Sequence, residues 1–289
     1  MRLLDSHLHL WDPELLDYSW LGGALDARFA EEEIDLQSLA DAEEEVSIFV
    51  QADCAVEQYL DEVRWVESIA DAAGVVAIVA GARLDRGDET AAHLDALSTH
   101  ARVIGVRHLL QGERDDLAVS APFLAGAREV AARGLTFDAC VAAGQIPAVT
   151  RLGDAVPELP IVLDHLGKPA IGTAEAPLAP AEDWVHDIGM LARHPQVFCK
   201  LSGLPAEAGG RWTEEQVIPF LDAAASAFGP DRLMWGSDWP VSATDFSADA
   251  YLPGARADWA HTVATWAAAR GYDVDGILWE NAARFYRIR

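Results

Sequence analysis

The sequence contains very little lysine, since only Lys168 and Lys200 are lysines among its 21 basic residues. Cysteine is also scarce, and Cys54, Cys140 and Cys199 are far apart and lie in or just after apolar runs. This pattern predicts buried, reduced thiols and excludes zinc-finger spacing. No apolar run approaches the roughly 20 residues of a membrane span, and the first residues lack a signal-peptide pattern. We therefore expect a cytoplasmic protein with no membrane partner.

Motifs of two large enzyme classes are also missing. The first apolar run is not followed by a Gly-x-Gly-x-x-Gly turn, so a dinucleotide site lacks its signature. No Gly-x-Ser-x-Gly occurs, which leaves an acyl-enzyme route weakly supported.

The formal charge of −26 argues against a nucleic-acid partner, because it would repel a phosphate backbone. The acidic residues fall mostly in stretches expected to be helical, such as 31–33 and 41–45.

Eight short apolar runs recur roughly 33 residues apart, with helix-like stretches between them. That interval fits one strand, one helix and two loops, and strands this apolar are typical of parallel sheets covered by helices. The sequence favours an α/β fold of the TIM-like (β/α)₈ barrel type in a single domain, residues 1–289, with a doubly wound open sheet as the alternative. The predicted strands are 3–10, 46–52, 75–82, 103–109, 135–141, 161–165, 197–202 and 233–238. The predicted helices are 57–73, 91–100, 122–133, 146–154, 181–193, 214–228, 259–270 and 275–286. Long loops are expected at 172–180 and at 242–256, the second with room to cover a site.

Reactive side chains cluster where the predicted strands end, and in a barrel these ends meet at one mouth. His7 and His9 are one residue apart in the first strand, so both imidazoles share one face, as a divalent metal or a polarised carbonyl requires. Asp238, at the end of the last strand, is the best candidate for a supporting carboxylate. The remaining strand ends supply Gln51, Asp53, Arg83, Arg107, His108, Asp138, His165, Lys168, Lys200 and Ser202.

Several of these candidates have a structural alternative. Arg107 and His108 are adjacent, so a regular strand directs only one of them inward. Asp138 suits an ion pair with an arginine inside the barrel as well as it suits catalysis. Lys168 and Lys200 persist where lysine is nearly excluded, which favours a function for the compact ammonium over a structural ion pair. A tryptophan such as Trp11 could contact a ring-shaped ligand, although packing beneath a loop is the default for aromatic side chains.

Five motifs, in order along the chain, resemble the amidohydrolase superfamily (amidohydrolase 2 type), and most closely its sugar-lactonase branch. That branch includes L-fuconolactonase and 2-pyrone-4,6-dicarboxylate lactonase. The resemblance extends to the closing segment 279–286 and so covers nearly the whole chain. The motifs are Asp5-Ser6-His7-Leu8-His9-Leu10-Trp11, Gly105-Val106-Arg107-His108, Leu163-Asp164-His165-Leu166-Gly167-Lys168-Pro169, Lys200-Leu201-Ser202-Gly203 and Gly236-Ser237-Asp238-Trp239-Pro240.

The resemblance implies a distorted (β/α)₈ barrel that hydrolyses a lactone, with Asp238 activating water and His165 near the scissile carbonyl. Metal-dependent relatives place ligands at His7, His9 and Asp238. No lysine ends strand four or five, and Asp138 stands where two-metal members have a histidine. At most one divalent ion, zinc, is therefore implied, and some members of the branch work without metal.

The sequence as a whole favours a carboxylic ester hydrolase that opens an aldonolactone, a small-molecule substrate, by water attack with Asp238 as general base. A homo-oligomer is compatible with this reading. A metal-dependent decarboxylase of the same superfamily and a non-catalytic sugar-binding barrel are the alternatives. The expected substrate contacts are Arg83, Arg107, His108, Lys168, Lys200 and Trp11.

Overall fold

In the computed structural model, which describes residues 1–34 and 42–288, eight parallel strands form one sheet in chain order. The predicted (β/α)₈ barrel is confirmed. The open doubly wound alternative is wrong, because each strand pairs with the next along the chain and the order never reverses. The strands are β1 (Arg2–Leu8), β2 (Glu44–Val50), β3 (Val75–Gly81), β4 (Val103–Arg107), β5 (Thr136–Ala139), β6 (Ile161–Leu163), β7 (Val197–Leu201) and β8 (Leu233–Trp235).

Helices cover the outside of the barrel, and every predicted helix is present with bounds shifted by a few residues. The bounds of the helix Glu214–Phe228 agree with its capping residues. It begins after Thr213, whose side chain accepts a hydrogen bond from the Gln216 amide, and it ends before Gly229. The helices are α1 (Tyr59–Ile69), α2 (Asp88–Leu97), α3 (Ala121–Ala132), α4 (Ile146–Ala155), α5 (Glu182–Leu191), α6 (Leu204–Glu207), α7 (Glu214–Phe228), α8 (Ala255–Ala269) and α9 (Asn281–Tyr286), the last preceded by a π-helical turn, Gly276–Glu280. The short α6 was not predicted.

Apolar side chains form two layers, one inside the barrel and one between the strands and the helices. Alternate residues of a strand face opposite layers, as the period of two requires. In β1, Leu3 belongs to the outer layer and Leu4 to the inner one. Val162 and Met234 also belong to the inner layer, and Tyr286 of α9 packs against it. Inward positions nearer the carboxyl ends of the strands carry polar residues instead, and these build the site.

The barrel closes through the chain that follows β8. Leu8 forms an isolated parallel bridge with Trp239. The Asp238 amide donates to the His7 carbonyl at 2.7 Å, and the His9 amide donates to the Trp239 carbonyl at 2.9 Å. The buried Asp5 carboxylate reinforces this junction by accepting from the Ser237 amide at 2.8 Å. These contacts bring the ends of the first and last strands side by side.

Two expectations need correction, one about a loop and one about an acidic stretch expected to be helical. The segment 242–256 contains a short antiparallel hairpin, β9 (Thr244–Asp245) and β10 (Ala250–Tyr251), and its last two residues begin α8. The acidic stretch 31–33 forms a turn, while Glu44 and Glu45 begin β2 because they pair with β1; residue 41 lies outside the described residues. The loop at 172–180 is confirmed, with one isolated bridge across it.

The three cysteines are buried and free, as predicted. Within residues 1–34 and 42–288, helices long and apolar enough to cross a membrane are absent.

Candidate active site

A cavity of about 350 Å³ opens at the carboxyl ends of the strands. This volume is in the range of small-molecule sites and suits a single sugar-sized ring. Apolar surface comes from Trp20, Leu109 and Val241 among others. The polar and charged residues of the lining include His9, Asp53, Arg107, His165, Lys168, Glu207 and Asp238. Reactive groups from widely separated strands therefore face one volume.

The histidine pair of β1 and the carboxylate after β8 meet at the floor of this cavity. The Nε2 atoms of His7 and His9 are 3.1 Å apart. The Oδ1 atom of Asp238 lies 3.9 Å from His7 Nε2 and 3.5 Å from His9 Nε2. All three side chains are buried. The junction that closes the barrel thus brings together the three residues predicted to hold a metal.

These three side chains fit one divalent ion. Zinc binds imidazole nitrogen and carboxylate oxygen at about 2.0–2.2 Å in a tetrahedral array, which separates neighbouring ligand atoms by about 3.3 Å. His9 Nδ1 donates to the Val50 carbonyl at 2.8 Å, which leaves the lone pair of Nε2 directed at the proposed ion. Burial, together with the Lys200 ammonium, holds the pKa of His7 well below its usual value, so this imidazole is neutral. A second set of potential ligands, His7, Asp164 and His165, shares His7 with the first.

Asp238 is held in an unusual conformation with one carboxylate oxygen available. Its φ of 55° lies in the left-handed region, which non-glycine residues seldom adopt outside functional sites. Ser242 Oγ donates to Oδ2 at 2.8 Å, so Oδ1 remains directed at the imidazoles. Burial alone would raise the pKa of Asp238, but the nearby His165 and His9 side chains outweigh it and the pKa is lowered. The group is therefore a carboxylate at neutral pH.

His165 lies beside Asp238 and packs against the His7 ring, with the two ring centroids 4.4 Å apart. Its Nε2 atom lies 3.7 Å from Asp238 Oδ1, and its Nδ1 atom is 3.0 Å from Ser202 Oγ. Burial holds the pKa of His165 well below its usual value, so the ring is neutral. Gly203 makes room for this ring, since a Cβ at Gly203 would lie 2.5 Å from the His165 Cγ atom. The glycine of the Lys-Leu-Ser-Gly motif is thus explained by the imidazole that it accommodates.

Lys200 lies beneath the site and not in it. Its ammonium is fully buried and contacts Asp138 Oδ2 at 2.5 Å, Asp164 Oδ1 at 3.1 Å and His7 Nδ1 at 3.1 Å. Tyr286 donates to the same Asp138 oxygen at 2.8 Å. Lys200 is absent from the described lining of the cavity. The predicted substrate contact is therefore replaced by a positioning role, and the ion pair expected for Asp138 exists with a lysine instead of an arginine.

Strand alternation separates Arg107 from His108 as expected. Arg107 lines the cavity, donates to the Gln51 carbonyl and lies 3.6 Å from Asp164 Oδ2. His108 faces the other way, where its Nδ1 accepts from the Leu84 amide at 3.2 Å. Of the two adjacent residues, Arg107 lines the cavity itself, while His108 lines a recess that adjoins it.

Two further predicted contacts lie outside the cavity. Arg83 pairs with Asp85 at 3.2 Å and with Glu113 at 2.8 Å in an adjoining recess. Trp11 is fully buried and donates its indole N–H to the Ala27 carbonyl at 2.9 Å, so it packs beneath a loop. Lys168, in contrast, lines the cavity. Arg107 and Lys168 thus line the cavity itself, and Arg83 and His108 line a recess that shares Asp53 and Leu109 with it. Lys200 and Trp11 are fully buried.

Sequence reasoning missed two carboxylates near these groups. Asp164 precedes His165 in a motif that was recognised, but it lies below the ring and pairs with Lys200. Glu207 lines the cavity from α6, with its Oε1 atom 4.0 Å from Lys168 Nζ. A four-residue helix has no periodic signal that could have indicated Glu207. Asp164 could have been found from its position two residues beyond Val162 on the inward face of β6.

Comparisons with known proteins agree with this geometry. The sequence profile of a family described as Amidohydrolase matches residues 4–288. A curated protein named L-fucono-1,5-lactonase from Burkholderia ambifaria is 34% identical over 83% of this chain and 80% of its own length. Another of that name from Burkholderia multivorans is 35% identical over 82% of each chain. A crystal structure of an amidohydrolase from Burkholderia multivorans with bound zinc superposes with a TM-score of 0.82, at 30% identity, and covers 100% of both chains.

Proposed function

The chain belongs to the amidohydrolase family, and on that premise we propose that it hydrolyses the lactone ring of a small sugar-derived substrate to the sugar acid. Two curated relatives named L-fucono-1,5-lactonase, each more than 30% identical over about four fifths of the chain, support this activity. One observation carries the proposal: the Asp238 carboxylate lies in a sugar-sized cavity with its Oδ1 atom 3.5, 3.7 and 3.9 Å from three imidazoles.

Asp238 is the proposed general base. Its Oδ1 atom takes a proton from water while the water oxygen bonds to the ring carbonyl carbon. Ser242, by donating to Oδ2, fixes the carboxylate plane. The tetrahedral intermediate then breaks its bond to the ring oxygen, which receives the proton that Asp238 took. The neutral His165, with its Nε2 atom 3.7 Å from Asp238 Oδ1, is the group proposed to relay this proton. The product is an open hydroxy acid, which ionises and releases one proton to solvent.

Arg107 and Lys168 are the proposed source of charge stabilisation for the oxyanion. Both line the cavity. Burial alone would lower the pKa of each group, but nearby thiol and carboxylate groups, beginning with Cys140 in both cases, outweigh it and the pKa is raised. Both side chains therefore remain cationic in the pH range where Asp238 is a base. Preorganised cations in a partly dry cavity act more strongly than they would in water.

His7, His9 and Asp238 are the residues that would hold a metal ion. When bound there, a divalent ion supplies Lewis-acid polarisation of the carbonyl oxygen. The chain's own contribution is orientation, since Val50 fixes the His9 ring and Lys200 with Asp164 fixes the His7 ring.

The test is acid release from a panel of sugar lactones, followed with a pH indicator. Wild-type protein is compared with Asp238→Asn and with Glu158→Gln, an exposed residue in the loop before β6, at the far end of the barrel. We expect Asp238→Asn to lose about 10²-fold or more in kcat and Glu158→Gln to match wild type. Metal content is measured in parallel, so that a lost base is distinguished from a lost ligand.

Three outcomes contradict the proposal. Normal turnover by Asp238→Asn removes the assigned base. Carbon dioxide release from an aromatic acid without lactone turnover identifies a decarboxylase. Calorimetric binding of lactones whose spontaneous hydrolysis is not accelerated identifies a non-catalytic sugar-binding barrel.

A further inference from the structure

We infer that the cavity selects an uncharged, hydroxyl-rich lactone over one that carries a carboxylate or sulfonate, and that Asp53 and Glu207 determine this specificity. The inference rests on the proposed lactone hydrolysis and adds the chemical class of the ring substituents. The evidence is the charge balance of the cavity, the unfilled hydrogen-bonding capacity of its carboxylates and a fixed aromatic face.

The charged residues of the cavity do not favour an anionic substituent. Among the described residues of the lining, the three carboxylates of Asp53, Glu207 and Asp238 face the two cations Arg107 and Lys168. Both histidines that line the cavity belong to the proposed reaction centre. The divalent ion proposed above would offset the Asp238 charge, so Asp53 and Glu207 balance the two cations in number. An anionic ring substituent would find no unmatched cation among these side chains, and its like-charge contact with either carboxylate is costly away from bulk water.

Both cations already have partners within the protein. Lys168 Nζ lies 4.0 Å from Glu207 Oε1. Arg107 donates to the Gln51 carbonyl and lies 3.6 Å from Asp164 Oδ2. A substrate carboxylate would have to compete with these groups for either cation. The transient oxyanion of the reaction makes a smaller demand, since it needs stabilisation at one oxygen only.

The two carboxylates at the cavity wall have acceptor capacity that the protein leaves unused. Within residues 1–34 and 42–288, neither Asp53 nor Glu207 accepts a hydrogen bond through its carboxylate oxygens. Burial raises the pKa of both groups, so neither is hydrated as fully as a surface carboxylate. An ionised carboxylate only accepts hydrogen bonds, and the hydroxyl groups of a sugar are the matching donors.

Backbone geometry holds Asp53 at the cavity wall. Its φ of 60° is in the left-handed region, and its amide donates to Gln51 Oε1 at 2.5 Å. Beside it, the Trp20 indole N–H donates to the Ala52 carbonyl at 2.7 Å, which fixes a ring that lines the cavity. An aromatic face held in this way suits the apolar C–H face of a sugar ring. The same wall thus offers an apolar platform and a hydroxyl acceptor.

A pair of probes that differ in one group tests the inference. D-galactono-1,4-lactone carries a hydroxymethyl group at carbon 6, where D-galactaro-1,4-lactone carries a carboxylate. We expect wild-type kcat/KM to be about 100-fold higher for the neutral lactone, because the anionic one places a second negative charge beside the wall carboxylates. In Glu207→Gln, Lys168 loses its partner and becomes available, so the ratio between the two lactones falls by about 10-fold or more. Asp53→Asn changes the ratio in the same direction, and Glu158→Gln leaves it unchanged.

The ratio distinguishes specificity from a structural role, because a folding defect lowers turnover of both probes together. Thermal unfolding of each variant is recorded alongside, and the wild-type ratio decides the matter if a variant fails to fold. Equal or faster hydrolysis of the galactarolactone by wild type overturns the inference. An unchanged ratio in both folded variants overturns the assignment of the two residues.

Failure of the proposed reaction gives a different result. If neither lactone is hydrolysed, both are titrated into the protein by calorimetry. If wild type binds the neutral lactone more tightly and Glu207→Gln reduces this preference, the proposed selection of an uncharged lactone is supported, although the proposed hydrolysis is refuted. Tighter or equal binding of the galactarolactone, or binding of neither lactone, overturns the selection as well.

Discussion

The ammonium of Lys200 connects much of the buried polar structure beneath the cavity. A lysine has three N–H donors, and Lys200 contacts the Asp138 and Asp164 carboxylates and lies 3.1 Å from the His7 Nδ1 atom. None of the three groups reaches solvent. Removing a buried ammonium leaves its carboxylate partners buried and uncompensated, which lowers the free energy of unfolding.

Lys200→Met leaves Asp138 and Asp164 buried with no adjacent ammonium. We expect the free energy of unfolding to fall by about 3–5 kcal/mol, measured by urea denaturation. Lys168→Met, which removes a partly exposed ammonium with one partner at 4.0 Å, should cost about 1 kcal/mol or less while lowering lactone turnover. Equal loss of stability in the two variants would contradict the positioning role of Lys200.

At the scale of elements, the segment after β2 depends on a carboxyl group of α1. Glu62 Oε1 accepts from the Ala52 amide at 3.0 Å and from the Tyr18 hydroxyl at 3.5 Å. The side chain is fully buried, and burial raises its pKa to about 7. Because Ala52 and Asp53 line the cavity, this contact links α1 to the wall that holds Trp20 and Asp53.

The raised pKa of Glu62 makes stability depend on pH. Since the folded pKa of about 7 exceeds the ordinary 4.5, the folded state binds the proton more tightly. The associated stabilisation is complete below pH 4.5 and is lost as the pH rises through about 7, by roughly 3 kcal/mol in total. In Glu62→Gln this part of the decline between pH 5 and 8 should disappear, as measured by urea unfolding at several pH values. A slope in Glu62→Gln as steep as in Glu158→Gln would refute the titration of Glu62.

Strand periodicity predicts which side chains face inward but not the layer that they occupy. The alternation correctly separates Arg107 from His108, because one faces the mouth and the other packs behind β4. Lys200 also faces inward, yet it lies one layer below the cavity, a depth set by the register of neighbouring strands. Glu207 was missed because α6 is set by tertiary packing. For these reasons the barrel and the clustering of His7, His9 and Asp238 are predictable from the sequence, and much of the surrounding cavity wall is not.

At the scale of the whole molecule, the family resemblance read from five motifs is confirmed by the profile match over residues 4–288. The motifs are far apart in sequence, and the barrel brings their strand ends to one mouth. The proposed metal ligands come from the first strand and from the segment after the last one. A bound ion would therefore tie the two ends of the sheet together.

Zinc should accordingly stabilise the entire fold, because it binds the native arrangement and not the unfolded chain. We expect one zinc ion per chain by elemental analysis and a lower Tm after chelation, by a few degrees for each 1 kcal/mol of binding lost. His9→Ala should retain little zinc and show no response to the chelator. His261→Ala, an exposed residue on α8, should behave as wild type. A chelator response that persists in His9→Ala would place the ion elsewhere.

The junction between β1 and the chain after β8 also has a consequence for biosynthesis. The imidazole pair precedes the carboxylate along the chain, with 229 positions from His9 to Asp238, so a nascent chain contains the imidazoles long before the carboxylate is made. Until then both edges of the sheet remain unpaired, and the proposed reaction centre lacks its carboxylate. Products truncated before Asp238 are therefore expected to be inactive.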